Sequence, residues 1–322
     1  MTGVVLLNMG GPDSLEAVGP FMENLFSDPE ILRFPLSRWL QRPLARWIRR
    51  KRTPKVVERY RQIGGKSPIA EITRAQAAAL EAELGEGWAV AVAMRYWHPR
   101  ARAAAAELRE RGADRLVVLP LYPHYSRATT GSSLADLERA LEAEGLAGLP
   151  RRVIRSWHDH PLYLDALAEA VAEGLEGFEG ATVLFSAHSL PQRLIDRGDP
   201  YLDHIRTSVA GVVERLGHPP HRLAFQSRTG PVRWLGPGVE ETLRELAAAG
   251  VERVCAVAVS FVSDHIETLH EIDVEYAELA RFLGIGGFRR APSLNTRPAF
   301  IRALAALARE AGEGVSSSPT VH

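Results

Sequence analysis

Residues 255–261, CAVAVSF, form a nearly unbroken apolar run of strand-favouring side chains. Without polar alternation, such a run reads as a strand buried on both faces, the situation of a parallel sheet covered by helices on either side. Parallel neighbours need crossover connections, so this feature commits the chain to α/β layering. Further apolar runs at 4–8, 88–94, 116–119 and 153–154 alternate with helical stretches, and runs at 182–186, 222–226, 253–261 and 288–290 do so again. The segment GADRLVV at 112–118 lines up with GVERVCA at 250–256, each after a predicted helix, so the second set echoes the first. The expected fold is α/β, two Rossmann-like doubly wound lobes, each with a four-stranded parallel sheet. The lobes are expected at 1–150 and 151–310, facing across a cleft, with a flexible tail at 311–322. A length of 322 residues suits two such domains.

Strand ends are where an open α/β sheet presents chemistry. Ser263, Asp264, His265 and Glu267 follow the run at 255–261, and His188 follows the one at 182–186. Glu267, Glu271 and Glu275 then recur at i, i+4 spacing, which on an α-helix places three carboxylates along one face. Like charges so spaced destabilise a helix, so a ladder of them points to handling of something cationic. Other strand ends collect Tyr96, Tyr122, His124, Tyr125 and Ser126 from the first lobe, and Gln226, Ser227, Arg228 and Trp234 from the second. An aromatic-rich site with arginines at its edge suits a large flat apolar ligand with anionic arms. A facing histidine and glutamate can exchange protons or hold a divalent metal.

One segment has no counterpart in the second lobe. Residues 29–66 lengthen the connection between the first two strands, and from 38 to 52 they carry seven basic side chains and no acid. Trp39, Leu40, Leu44, Trp47 and Ile48 interleave at helical spacing. A basic amphipathic helix with tryptophans reads as a lid or an interfacial element, gripping anions with Arg while its apolar side meets a flat ligand or lipid; it reads equally as an ordinary helix packing its apolar stripe.

Composition and missing motifs exclude several classes. Zero formal net charge and a pI near 7.2 give no signal for nucleic acid. Neither GxGxxG, HExxH nor GxSxG occurs, and Gly65-Lys66-Ser67 is a turn because Tyr60 stands where a phosphate loop needs glycine. The lone Cys255 can form no internal disulfide and no thiolate metal site. No run reaches the roughly 18 apolar residues of a spanning helix, and the start lacks the charged front of a secretory signal. A cytoplasmic protein is expected, peripheral on a membrane at most.

The segments LLNMGGP (6–12), ERYRQIGGKSPIAEIT (58–73), PLYPHYS (120–126), SAHSLPQRLIDRGDPY (186–201), FQSRTGPVRWLGP (225–237) and FVSDHIETLHEID (261–273) together resemble the ferrochelatase family. The resemblance implies insertion of ferrous iron into a porphyrin, protoporphyrin or coproporphyrin, bound between the lobes, with loss of two pyrrole protons. It puts His188 and Glu267 in the catalytic and metal-handling roles, in either order, and makes Glu271 and Glu275 a path for metal or protons. Porphyrin contacts are expected at Met9, Tyr96, Tyr125, Ser126, Trp234, Arg42 and Arg46. No permanently bound cofactor and no iron–sulfur cluster are expected, since the cysteine-rich extension of some relatives is missing. The partners would be porphyrin and iron, with no nucleic acid, on a monomer that touches membrane loosely through Trp39, Leu40 and Trp47. His124 departs from the glutamine of many relatives and is left out of the chemistry. The alternatives are a cobalt or nickel tetrapyrrole chelatase, and a haem carrier with His188 as axial ligand.

Overall fold

The apolar runs become the strands of two sheets, and every pairing between neighbours is parallel. The computed structural model describes residues 1–28, 38–228, 230 and 232–314, with side chains of the basic segment described from 46 onward except 48. Trp39, Leu40, Leu44, Ile48 and Arg42 therefore lie outside the described side chains. By contacts the chain divides into one unit of Met1–Tyr122, Ser126–Ser156 and residues from Leu304, and a second of Pro123–Tyr125 and Trp157–Ala303.

In the first unit β1 (Thr2–Asn8), β2 (Trp88–Met94), β3 (Arg115–Pro120) and β4 (Arg151–Val153) lie in the order β2-β1-β3-β4. Val4, Val5 and Leu6 of β1 are fully buried, each worth about 1.5–3 kcal/mol over an exposed position. Helices α1 (Val18–Phe26), α2 (Arg38–Gln62), α3 (Ile69–Leu84), α4 (Ala101–Glu110) and α5 (Ser132–Ala143) complete the crossovers. Two of the motifs meet here: Ser67 donates its N–H to the Pro12 carbonyl at 2.8 Å, and a Cβ on Gly11 would sit 2.5 Å from Ser67 Oγ.

The second unit repeats the order as β6-β5-β7-β8, from β5 (Thr182–His188), β6 (His221–Gln226), β7 (Arg253–Ala258) and β8 (Gly287–Arg290). Its helices are α6 (Pro161–Leu175), α7 (Gln192–Ile195), α8 (Tyr201–Arg215), α9 (Val239–Ala248), α10 (Ala277–Phe282) and the start of α11 (Pro298–Glu313). The echo between 112–118 and 250–256 extends further than the sequence suggested. After β3 and after β7 the chain enters a widened, π-helical turn, at Arg127–Gly131 and at Glu267–Tyr276.

Three expectations change. β7 stops at Ala258, not 261: the next apolar residues, Val259 and Val262, are buried loop positions, and a buried loop shares its composition with a strand. The acidic ladder rides on a π-helix, not an α-helix. The chain's end is helical through Glu313, where a tail was expected from 311, and from Leu304 it belongs to the first unit. There Arg309 donates to the Glu83 carbonyl at 2.6 Å and Arg152 to the Gly314 carbonyl at 3.0 Å. Residues 315–322 lie outside the described part.

Candidate active site

β5 ends on His188, and two neighbours fix that end. Its N–H donates to Ser260 Oγ at 2.9 Å, and its carbonyl accepts from the Tyr201 hydroxyl at 2.9 Å. The imidazole Nδ1 lies 2.7 Å from Glu267 Oε2, at the opening of the π segment after β7. His188 is 35% exposed and Glu267 17%. Nε2 of His188 makes no hydrogen bond among the described residues, so one ring nitrogen is spent on positioning and the other is available to a ligand.

Burial pushes the His188 imidazolium toward losing its proton, but the Glu267 carboxylate outweighs it and raises the pKa. Burial likewise pushes Glu267 up, and the His188 charge together with its hydrogen bond brings the carboxyl well below its usual range. Each partner therefore favours the charged form of the other.

A second carboxyl joins through β6. Ser227, just past that strand, lies with its Oγ 2.9 Å from Glu267 Oε2 and 2.6 Å from Glu271 Oε2. A hydroxyl has one proton to donate. The Ser227 hydroxyl is thus placed to donate to either carboxylate. Burial, and then the Glu267 charge, raise the Glu271 pKa. The other Glu271 oxygen accepts from the Ser227 N–H and the Tyr276 hydroxyl, both at 2.8 Å. The result is a continuous hydrogen-bonded line, His188 to Glu267 to Ser227 to Glu271.

Glu275 is placed against His270. In a π turn the facing neighbour is i+5: Tyr276 reaches Glu271, and Glu275 lies 3.8 Å from Nδ1 of His270. Among the described residues no group of three or more His, Cys, Asp or Glu side chains is arranged to hold a metal ion.

The remaining candidates are each described within their own unit. Trp234 and Tyr125 are half-buried in the second unit, Trp234 bridging Pro191 and Tyr125 donating its N–H to His204 Nδ1 at 3.2 Å. Met9, Tyr96, Ser126 and Arg46 belong to the first. Tyr96, expected at a binding surface, is buried, its hydroxyl given to Asp28 at 2.7 Å. Ser126 is buried too, its Oγ accepting from the Ala128 N–H at 3.2 Å. Met9 is half-buried and Arg46 exposed. His124 is a packing residue, buried with Nε2 2.9 Å from Ser208 Oγ. Sequence reasoning missed Ser260, Tyr201 and Tyr276; for Tyr276 the signal was its i+5 spacing from Glu271.

A family model described as Ferrochelatase matches residues 1–312. A ferrochelatase of Geotalea daltonii is 55% identical over 319 residues, 97% of this chain and 99% of its own. One of Geobacter metallireducens is 54% identical over 314 residues, 97% and 98% of the two chains. Among solved structures, SirB from Bacillus subtilis with Fe3+ has a TM-score of 0.59 over 98% of this chain and 99% of that one, and at 10% identity the likeness is one of fold.

Proposed function

Since this chain belongs to the ferrochelatase family and is thus a lyase of haem biosynthesis that inserts ferrous iron into a porphyrin, we propose that His188 and Glu267 carry out that reaction. The observation that carries the reading is the 2.7 Å contact between His188 Nδ1 and Glu267, continued through Ser227 to Glu271.

Iron enters a ring that must lose two pyrrole protons, and pyrrole nitrogens are weak acids. Insertion therefore needs a base close to the ring and somewhere for each proton to go. Neutral His188 takes a proton at Nε2, and the adjacent Glu267 carboxylate favours the imidazolium that forms. The half-exposed His188 returns the first proton from Nε2 to solvent before it takes the second, while Ser227 and Glu271 hold Glu267 in place. Ionised Glu267 is also the anionic oxygen presented to ferrous iron, with Glu275 an outer step for the cation. Met9, Tyr125, Trp234 and the arginines Arg42 and Arg46 are the proposed porphyrin contacts; the buried Tyr96 and Ser126 act by supporting their strand ends. One cysteine, buried in β7, supplies no set of thiolates for an iron–sulfur cluster. No helix of the described residues is long and apolar enough to cross a membrane; we place the enzyme in the cytoplasm, a monomer with loose membrane contact through the basic segment.

The test is anaerobic incubation with ferrous iron and, in parallel, protoporphyrin and coproporphyrin, following loss of free-porphyrin fluorescence. His188→Ala and Glu267→Gln are expected to fold and to lose about 10²–10⁴ in insertion rate. Near-normal turnover in either variant removes that residue from the mechanism, and tight binding of both rings without insertion by the wild type makes the chain a carrier.

A further inference from the structure

A π-helical stretch is uncommon and holds only where its surroundings over-determine it. For Glu267–Tyr276 the ties converge on Arg290, the last residue of β8. Its Nε and Nη2 donate to the two carboxylate oxygens of Asp273 at 2.8 and 2.9 Å. Its Nη1 lies 3.0 Å from Asp264 Oδ1 and donates to Ser293 Oγ at 2.9 Å. The side chain is 10% exposed, so its partners and not solvent fix its position. Asp264 is anchored in turn, accepting from Asn295 Nδ2 at 2.8 Å and donating its N–H to Asn295 Oδ1 at 3.0 Å. Asp264 precedes Glu267 in the chain and Asp273 follows Glu271. One rigid guanidinium thus spans the part of the chain that bears both carboxyls.

We propose that Arg290 is a positioning residue for metal insertion, clamping Asp264 and Asp273 so that the widened turns keep the Tyr276 hydroxyl on Glu271 and thereby hold that carboxyl on Ser227 beside Glu267. The inference rests on the reading of Glu267 and Glu271 given above. Relaxation to α-helical turns would make i+4 the facing neighbour and part Tyr276 from Glu271, leaving that carboxyl with one fewer donor to fix it on Ser227. Lysine keeps the charge but offers a point where arginine offers a planar fork, so it cannot hold both aspartates at this spacing.

The experiment compares Arg290→Gln, Arg290→Lys and Asp273→Asn in the full chain, with Arg297→Gln as a control that breaks the pair to Glu173 away from the site. Insertion is measured well below each melting temperature, with kcat per folded molecule and KM for porphyrin and for iron determined separately. A displacement of about 1 Å can cost on the order of a hundredfold. Arg290→Gln is expected to lose roughly ten- to hundredfold in kcat with porphyrin KM unchanged, Arg290→Lys to recover stability more than kcat, and the control to match wild type. Wild-type kcat in Arg290→Gln, or a loss equal to its unfolded fraction, overturns the proposal; should that variant not fold, wild-type kcat in Asp273→Asn does so. An active Glu267→Gln brings down the underlying reading, whereas an inactive Glu267→Gln beside a normal Arg290→Gln brings down the clamp alone.

Discussion

His188 and Glu267 titrate against each other, and the signs of their shifts set where the pair contributes to stability. Folding raises the His188 pKa above 6.5, so its contribution is complete below pH 6.5 and is lost as pH rises through the folded value. Folding lowers the Glu267 pKa below 4.5, so its contribution is complete above pH 4.5 and is lost as pH falls through the folded value. The pair is thus fully stabilising between about pH 4.5 and 6.5. Turnover has the opposite requirement, because only neutral His188 accepts a proton; insertion should rise with pH through the elevated His188 value. An NMR titration of the imidazole should place the wild-type midpoint above 6.5 and the Glu267→Gln midpoint lower, since burial is then opposed only by Glu271; equal midpoints would mean that the carboxylate does not set the histidine. His188 and Glu267 were legible in the sequence because strand-end chemistry follows an apolar run. Ser260 and Tyr201, which hold the backbone of His188, were not, since their ties are long-range and nothing local marks them.

At the scale of elements, the strands were readable to within a few residues because burial on both faces leaves an apolar run. The π turns were not: glutamates at i, i+4 suit an α-helix as well, and the widening comes from distant partners. The turn at Ser227 shows how such a site is held. Its φ of +63° is in the left-handed region, which a side chain without local hydrogen bonding enters at a cost of about 1–2 kcal/mol. Ser227→Ala and Ser227→Gly both delete the hydroxyl between the carboxyls, and both should lose on the order of tenfold or more in kcat. Chemical denaturation should find the alanine variant less stable than the glycine variant by about 1 kcal/mol, because only glycine is at ease in this conformation. Full activity in the glycine variant would show that the two carboxyls act without the bridge.

On the scale of the molecule, the two sheets share one strand order, but neither unit built around them is one continuous stretch of chain. The length and the repeated pattern announced two lobes; they could not announce that Pro123–Tyr125 goes with the second unit and the end of α11 with the first, because both assignments are made by packing. Gly312 seals that return, since a Cβ there would lie 2.6 Å from the Trp88 ring. Gly312→Val should therefore destabilise by about 1–3 kcal/mol through overpacking, read as a fall in melting temperature of roughly 2–4 °C per kcal/mol; an unchanged melting temperature would mean that the helix end is not seated on Trp88. The placement of α11 also reverses the usual order of events on the ribosome, where the N-terminal domain of a nascent chain folds first. Here the first-written lobe cannot be completed until all of Trp157–Ala303 has been translated, so it is the last to close, and a message cut short near its end releases a protein whose opening lobe lacks the helix end that belongs to it.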